Sequence, residues 1–267
     1  MIVAALRVAS LVTLLGCMAV PVLARKPATG FLDRTLTLNG SIYKYQVFLP
    51  ENWSSKQKWP IILFLHGAGE RGSDGLLQTE VGMPSAVRKD RSRFPAIIVM
   101  PQCKLDRWWT ELEMQAVALT SLARAAKEFN GDSKRTYLTG LSMGGYGSWA
   151  IAEKNPGKFA AVVPICGGIV EPKAVLEKHP ERAKTSYPDE AKSYAEVAKR
   201  LGKTPIWIFH GEADPIVPVA GSRKMYEALK AAGGNVRYTE YPDVGHDSWD
   251  KAYAEPELIA WMLAKSL

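Results

Sequence analysis

The stretch TYLTGLSMG, residues 136–144, indicates the fold class and contains a candidate nucleophile. A short strand-forming run leads into the pattern G-x-S-x-G, and a helix-prone segment follows at once. In that order of strand, tight turn and helix, G-x-S-x-G exposes its serine at the top of a sheet. Glycine suits positions 140 and 144 because a side chain there would collide with the neighbouring strand or helix. We therefore expect Ser142 to act as a nucleophile at a helix N-terminus, where the helix dipole favours developing negative charge.

Apolar runs and helix-prone segments alternate on both sides of this stretch. A hairpin is predicted first, because residues 36–38 and 42–49 flank Asn39-Gly40, a strong turn signal. The alternation that follows predicts an α/β fold with a mostly parallel central sheet and helices on both faces. The predicted strands are 60–65, 96–100, 136–139, 160–165, 205–209 and 236–241, and the predicted helices are 113–129, 144–153, 220–232 and about 256 to the end.

Residues 1–24 differ from the rest in composition. Arg7 precedes an almost wholly apolar run, which ends in small residues before a basic pair. This predicts a signal peptide over 1–24 and a mature chain that is periplasmic or secreted, forming one α/β domain over 25–267 with no stable membrane span. Two alternatives stay open: an uncleaved anchor helix, and a lipoprotein anchored at Cys17, since Leu-Leu-Gly-Cys resembles a lipoprotein box.

The remaining composition is that of an ordinary soluble protein. Without Arg7 the chain has 33 basic and 27 acidic residues, a mild excess. The basic residues are scattered rather than clustered, so no nucleic-acid partner is expected. Residues 170–203 are charged and helix-prone without a strand-like run, which predicts a small insertion, either a lid or a packed surface segment.

A serine nucleophile needs a base, and the chain has four histidines. In this fold the acid and the base follow the nucleophile along the chain, which excludes His66. His179 lies in the charged segment, and His210 ends an apolar strand, where a packed and hydrogen-bonded role is expected. His246 comes just beyond the last strand, where a loop can carry it over Ser142, so we predict it as the base.

The base needs a carboxylate that fixes its tautomer and stabilises its charged form. Asp214 lies in the loop after the penultimate predicted strand, beside the loop that carries His246. Glu212 and Asp243 are rivals, but Glu212 comes early in its loop and Asp243 belongs to the histidine's own loop. We therefore predict Asp214 as the acid.

The stretch LHGAGERG, residues 65–72, fits two different sites. Residues 67–72 match G-x-G-x-x-G, which binds a dinucleotide when a helix begins within the glycines. Here turn-forming residues continue through 72–75 instead, and the sequence after His66-Gly67 suits a loop that offers backbone amides to an oxyanion. With the nucleophile, acid and base downstream, we predict the N–H groups of Ala68 and Met143 as oxyanion donors.

Five segments now carry a family resemblance: LHGAGERG (65–72), PQCKLDRWW (101–109), GLSMGGYGSW (140–149), HGEADPIVP (210–218) and GHDSWDKAY (245–253). Over residues 31–267 the chain resembles the exported α/β-hydrolase carboxylesterases, a group related to prolyl-oligopeptidase-like peptidases, feruloyl esterases and polyhydroxybutyrate depolymerases. The resemblance implies the α/β-hydrolase fold, the same triad and the same oxyanion donors. It also implies that Trp108, Trp109 and Trp249 bind substrate. For Trp108 and Trp109, packing under a loop is the alternative.

These features predict a serine carboxylesterase that acts through an acyl-enzyme on small acyl or aryl esters, including feruloyl-type esters linked to polysaccharide. The alternative is a small serine peptidase, although the chain is too short for the propeller domain that gates the prolyl oligopeptidases. A binding module without chemistry and a nicotinamide oxidoreductase are further alternatives. The intact triad argues against the first, and the turn-forming glycine loop argues against the second.

The mature chain would retain Cys103 and Cys166, and export favours disulfides. In the expected sheet, two strands separate those that precede the two cysteines, a distance of about 14 Å at ~4.8 Å per strand. We therefore predict free, buried thiols. No histidine or cysteine pair has metal-ligand spacing, so neither a metal nor another cofactor is expected.

Overall fold

The N-terminal hairpin is the first element of the computed structural model, which describes residues 28–171, 173–178, 180 and 190–267. Strands β1 (Gly30–Leu38) and β2 (Ser41–Leu49) pair antiparallel along their whole length. The two turn residues, Asn39 and Gly40, both have positive φ, as a tight hairpin turn requires. The predicted hairpin is confirmed. The predicted signal peptide and the alternative lipid site at Cys17 lie outside the described residues.

Six further strands extend the hairpin into one sheet. They are β3 (Trp59–Leu65), β4 (Ile97–Pro101), β5 (Gly131–Leu141), β6 (Ala161–Ile165), β7 (Ile206–Gly211) and β8 (Val236–Tyr241). Their order is β1-β2-β4-β3-β5-β6-β7-β8, with β2 antiparallel to β4 and every later pair parallel. This confirms the predicted α/β class, a mostly parallel sheet preceded by an antiparallel hairpin.

Helices cover both faces of the sheet. They are α1 (Met83–Lys89), α2 (Leu112–Phe129), α3 (Met143–Lys154), α4 (Lys173–Lys178), α5 (Glu190–Leu201), α6 (Ala220–Ala231), α7 (Trp249–Ala254) and α8 (Leu258–Leu263). Buried side chains of α2, α3, α5 and α6 pack in one core, and those of α1, α7 and α8 pack in the other. Alternate residues of β3 enter the two cores, which explains why this strand is apolar throughout. The predicted C-terminal helix is α8, whereas α1 and α7 were not predicted.

The segment predicted as an insertion, 170–203, contributes a helix of the core. In α5 the buried residues are Tyr194, Val197, Ala198 and Leu201, at the i, i+3, i+4, i+7 spacing of an amphipathic helix. The helix packs against α3 and α6. It therefore forms a packed helical connection between β6 and β7. Residues 172, 179 and 181–189 lie outside the described parts of the chain.

The two cysteines of the described chain are free and buried, as predicted. Cys103 follows β4 and Cys166 follows β6, and β3 and β5 lie between those strands. Among the described residues, no helix is both long enough and apolar enough to span a membrane.

Candidate active site

Ser142 occupies a strained turn between β5 and α3. Its φ of 52° and ψ of −117° are unusual for a non-glycine residue, and they turn its side chain out of the sheet. The glycines on either side make this turn possible. A Cβ on Gly140 would lie 2.4 Å from the Gly144 carbonyl oxygen, and one on Gly144 would lie 2.0 Å from the Leu65 carbonyl oxygen. The predicted elbow geometry is therefore present, with Ser142 directly before the first residue of a helix.

Three side chains that are far apart in sequence meet at this turn. His246 Nε2 lies 2.9 Å from Ser142 Oγ, and His246 Nδ1 lies 2.7 Å from Asp214 Oδ2. The Asp214 side chain is fully buried, whereas the imidazole of His246 is 20% exposed. Because the carboxylate can only accept, Nδ1 carries the hydrogen and the lone pair of Nε2 faces the serine hydroxyl. This is the tautomer that a general base for Ser142 requires.

The Asp214 carboxylate is surrounded by donors. Its Oδ1 accepts hydrogen bonds from the backbone N–H groups of Ile216 (2.8 Å) and Val217 (2.9 Å). Its Oδ2 lies near two imidazoles, that of His246 and that of the buried His210, whose Nε2 is 3.2 Å away. Burial by itself would raise the pKa of Asp214, but these donors outweigh burial and hold the pKa well below its usual value. The carboxylate is therefore charged at neutral pH.

The other candidates for acid and base have different positions. Glu212 and Asp243 are exposed, and the carboxylate that reaches His246 is that of Asp214. His66 is buried in the loop after β3, and His179 lies outside the described residues. His210 is packed and hydrogen-bonded, as predicted, but its proximity to Asp214 was not predicted. The available signal was its place at a strand end, four residues before the acid.

The loop of residues 65–72 lies against the serine turn. It forms only a three-residue 3-10 turn, Ala68–Glu70, so no long helix begins within the glycines as a dinucleotide site would require. A Cβ on Gly67 would lie 3.8 Å from Cβ of Ser142. Ala68 and Met143 each stand at the first position of a helix, where an N–H group has no partner within the helix. Met143 directly follows Ser142 in the chain, and Ala68 directly follows Gly67, which lies close to Ser142.

His66 and Trp109 hold the loop of residues 65–72 in place through hydrogen bonds. The backbone N–H of Cys103 donates to His66 Nε2 (3.0 Å), so His66 Nδ1 carries the hydrogen and donates to the Gly67 carbonyl (2.6 Å). Trp109 Nε1 donates to the His66 carbonyl (3.1 Å). Trp109 is 0% exposed and packs on Gly147, so the predicted substrate contact is corrected: in this structure its indole packs under the loop of residues 65–72.

The other two tryptophans, Trp108 and Trp249, are partly exposed. Trp249 meets His246 edge to face, with ring centroids 5.3 Å apart. Trp108 carries the guanidinium of Arg71 over its ring at 4.6 Å, and Arg71 Nε donates to the Ala68 carbonyl. Trp249 thus adjoins the imidazole of His246, and Trp108 adjoins the loop of residues 65–72 through Arg71.

One set of side chains in the described residues has ligand atoms close enough to share a cation: Cys166, Asp214 and His246. Asp214 and His246 are already hydrogen-bonded to each other. Burial also raises the pKa of the Cys166 thiol, which disfavours the thiolate that a metal would bind. We therefore assign no metal to this set.

Comparison with known proteins agrees with this architecture. Residues 118–265, more than half of the chain, match the prolyl oligopeptidase family. A crystal structure described as a thermostable esterase is 32% identical, with a TM-score of 0.72 over 89% of this chain and 63% of that one. This likeness supports the predicted α/β-hydrolase type of enzyme.

Two curated relatives are more distant. A provisionally named carboxymethylenebutenolidase of Methylorubrum extorquens is 31% identical over 134 residues, which is 49% of this chain and 41% of the relative. An uncharacterized secreted protein of Arthroderma benhamiae is 22% identical over 242 residues, which is 80% of this chain and 24% of the relative. The matched region thus spans less than half the length of either curated relative.

Proposed function

The chain belongs to the prolyl oligopeptidase family, and on that premise we propose that it hydrolyses carboxylic esters through Ser142, His246 and Asp214. The observation that carries the proposal is the unbroken series of hydrogen bonds from the buried carboxylate through the imidazole to the serine hydroxyl. Without it, a serine in a tight turn would have no means of losing its proton at neutral pH.

In the proposed reaction, Ser142 Oγ attacks the ester carbonyl carbon while His246 Nε2 takes the hydroxyl proton. The charged Asp214 stabilises the imidazolium that results. As the tetrahedral intermediate collapses, the imidazolium gives its proton to the departing alkoxide and an alcohol leaves. Water then attacks the acyl-enzyme with the same base, which releases the carboxylic acid and restores Ser142.

The amides of Ala68 and Met143 are the proposed oxyanion donors. Met143 begins α3, so the positive end of the helix dipole adds to its N–H. Ala68 is held by the bonds that His66, Trp109 and Arg71 make to its loop. A donor that is fixed in advance costs little reorganisation in the transition state, and one such donor contributes roughly 3–4 kcal/mol.

Small acyl and aryl esters are the proposed substrates, because Trp249 beside His246 and the partly exposed Trp108 offer flat aromatic faces to a planar group. Feruloyl-type esters on polysaccharide belong to this class. A peptide amide is the second candidate, favoured by the description of the matched family. The 32% identity to an esterase favours the ester.

Hydrolysis of p-nitrophenyl acetate and of peptide p-nitroanilides by the purified enzyme tests the proposal. We expect ester turnover without amide turnover, and loss of at least about 10³-fold of it in Ser142→Ala. Ser121→Ala is the matched control, since it removes a buried hydroxyl within α2 and should keep full activity. Ester turnover that survives in Ser142→Ala contradicts the proposal, and efficient amide turnover favours the peptidase.

We also propose that the protein is exported by a signal peptide over residues 1–24. The composition of that segment supports this, as does the secreted relative at 22% identity. N-terminal sequencing should show a mature chain that begins at Arg25. A lipoprotein would instead begin at Cys17.

A further inference from the structure

A second histidine, His210, contacts the proposed triad from its buried side. It lies at the end of β7 and is 0% exposed. Its Nδ1 is 2.7 Å from Ser222 Oγ, while its Nε2 is 3.0 Å from the Val217 carbonyl oxygen and 3.2 Å from Asp214 Oδ2. The same Oδ2 faces Nδ1 of His246. One carboxylate oxygen thus lies between two imidazoles.

These partners determine how the ring of His210 is protonated. Nε2 faces a carbonyl and a carboxylate, which both only accept, so Nε2 must carry a hydrogen. That N–H points to the Val217 carbonyl, and Asp214 Oδ2 lies 3.2 Å from the same nitrogen. In the neutral ring Nδ1 then accepts from the hydroxyl of Ser222, a buried residue in the first turn of α6. The orientation of the ring is fixed at both ends.

We propose that His210 is a positioning residue for the reaction: its Nε2–H holds the Asp214–Val217 turn and sets how strongly Asp214 attracts the proton of His246. The inference rests on the proposed function. Ile216 and Val217 amides already occupy Oδ1, so His210 acts on the oxygen that His246 uses. A partner that shares this oxygen draws part of its negative charge away from His246.

The expected effect of removing this donor has a definite sign. Without the hydrogen of His210, more of the carboxylate charge acts on His246, which favours the imidazolium. At a given pH, a larger fraction of the enzyme then lacks the free base that Ser142 needs. The acid limb of the pH profile of kcat/KM should therefore move to higher pH.

Other titratable groups face the cluster, but they are the same in every variant. Glu240 of β8 faces His210 and is hydrogen-bonded to Arg223 of α6. Cys166, at the end of β6, faces Asp214, and burial raises the pKa of its thiol so that it stays protonated. Asp247 adjoins His246 in the chain. A shift that appears only on changing residue 210 comes from the ring itself.

A matched pair of amides tests the role. In His210→Gln the side-chain amide nitrogen can take the place of Nε2 and donate to Asp214. The side chain in His210→Asn is one methylene shorter and reaches only toward Ser222. We measure kcat/KM for p-nitrophenyl acetate from pH 5 to 9, and thermal unfolding, for wild type and both variants.

The acid limb of His210→Asn should move up by about 0.5–1 pH unit, the order of effect expected for one shared hydrogen bond to a charged group. His210→Gln should keep the wild-type midpoint. If His210→Asn does not fold, Ser222→Ala takes its place in the test. This variant leaves the ring of His210 in place but loosens it, so a smaller upward shift of the acid limb is expected.

The outcomes separate the two proposals. A wild-type enzyme that does not hydrolyse the ester overturns the proposed function, and this inference with it. Ester hydrolysis with the same acid limb in wild type, His210→Asn and Ser222→Ala overturns the role of His210 alone. Equal shifts in His210→Gln and His210→Asn also overturn it, because a donor at the Nε2 position would then make no difference.

Discussion

His66 should make the folded protein sensitive to mild acid. Its ring is 0% exposed, its Nε2 accepts from the N–H of Cys103, and its Nδ1–H donates to the Gly67 carbonyl. A second proton on Nε2 would break the first of these bonds. Burial accordingly lowers the pKa of His66 from 6.5 to about 4, although the bond to Gly67 partly opposes the shift. The unfolded chain keeps the ordinary value.

The size of the effect follows from these two values. Above pH 6.5 the ring is neutral in both states, and its contribution to stability is fully present. Between pH 6.5 and 4 only the unfolded chain takes up the proton, so the free energy of unfolding falls as the pH falls. The difference of about 2.5 units corresponds to about 3 kcal/mol in total, most of it lost by pH 4.5. Below pH 4 both states are protonated and this loss stops.

Urea unfolding followed by tryptophan fluorescence at pH 7.5, 6.5, 5.5 and 4.5 measures this loss in wild type and in His66→Gln. The variant should be less stable at pH 7.5. Its free energy of unfolding should not fall by about 3 kcal/mol between pH 6.5 and 4.5, since glutamine does not titrate. The depressed pKa of Asp214 acts on stability below about pH 4 and is common to both proteins. Parallel pH dependence in the two proteins would refute the assignment of the decline to His66.

Three further outcomes are expected. Gly144→Ala should abolish activity and lower the melting temperature, because its Cβ would lie 2.0 Å from the Leu65 carbonyl oxygen; Gly69→Ala, with no atom within 4 Å, should leave the melting temperature unchanged. In urea titrations, Val197→Ala should lower the free energy of unfolding by about 2 kcal/mol, because Val197 is buried, and Lys199→Ala, at an exposed position, by less than about 0.5 kcal/mol. Equal effects would contradict the place of α5 in the core. The two thiols of the described chain should react with Ellman's reagent only after denaturation, and rapid reaction of the native protein would contradict their burial.

Local chemistry explains which features could be predicted from the sequence. The Asn39-Gly40 turn needs positive φ at both residues, which few other pairs provide, so the sequence alone predicts the hairpin. The glycines around Ser142 are required by close backbone contacts, so the elbow was equally evident. The proposed triad partners follow from the chain order that this fold imposes.

Features that depend on packing between distant segments were missed. The apolar spacing of α5 was present in the sequence, but the charged residues between its buried positions concealed it. Trp109 was expected at the rim because it follows a strand end, yet the loop turns its ring inward against His66. The approach of His210 to Asp214 depends on a turn within one loop, and the place of His210 four residues before the acid does not by itself fix the direction of that turn.

Covalent labelling identifies the residue that attacks the substrate, which we propose to be Ser142. After reaction with a fluorophosphonate, intact-mass and peptide mass spectrometry should show one adduct per chain, on Ser142. Labelling should be absent in Ser142→Ala and retained in Ser121→Ala. An adduct on any other residue, or wild-type labelling that persists in Ser142→Ala, would contradict the account.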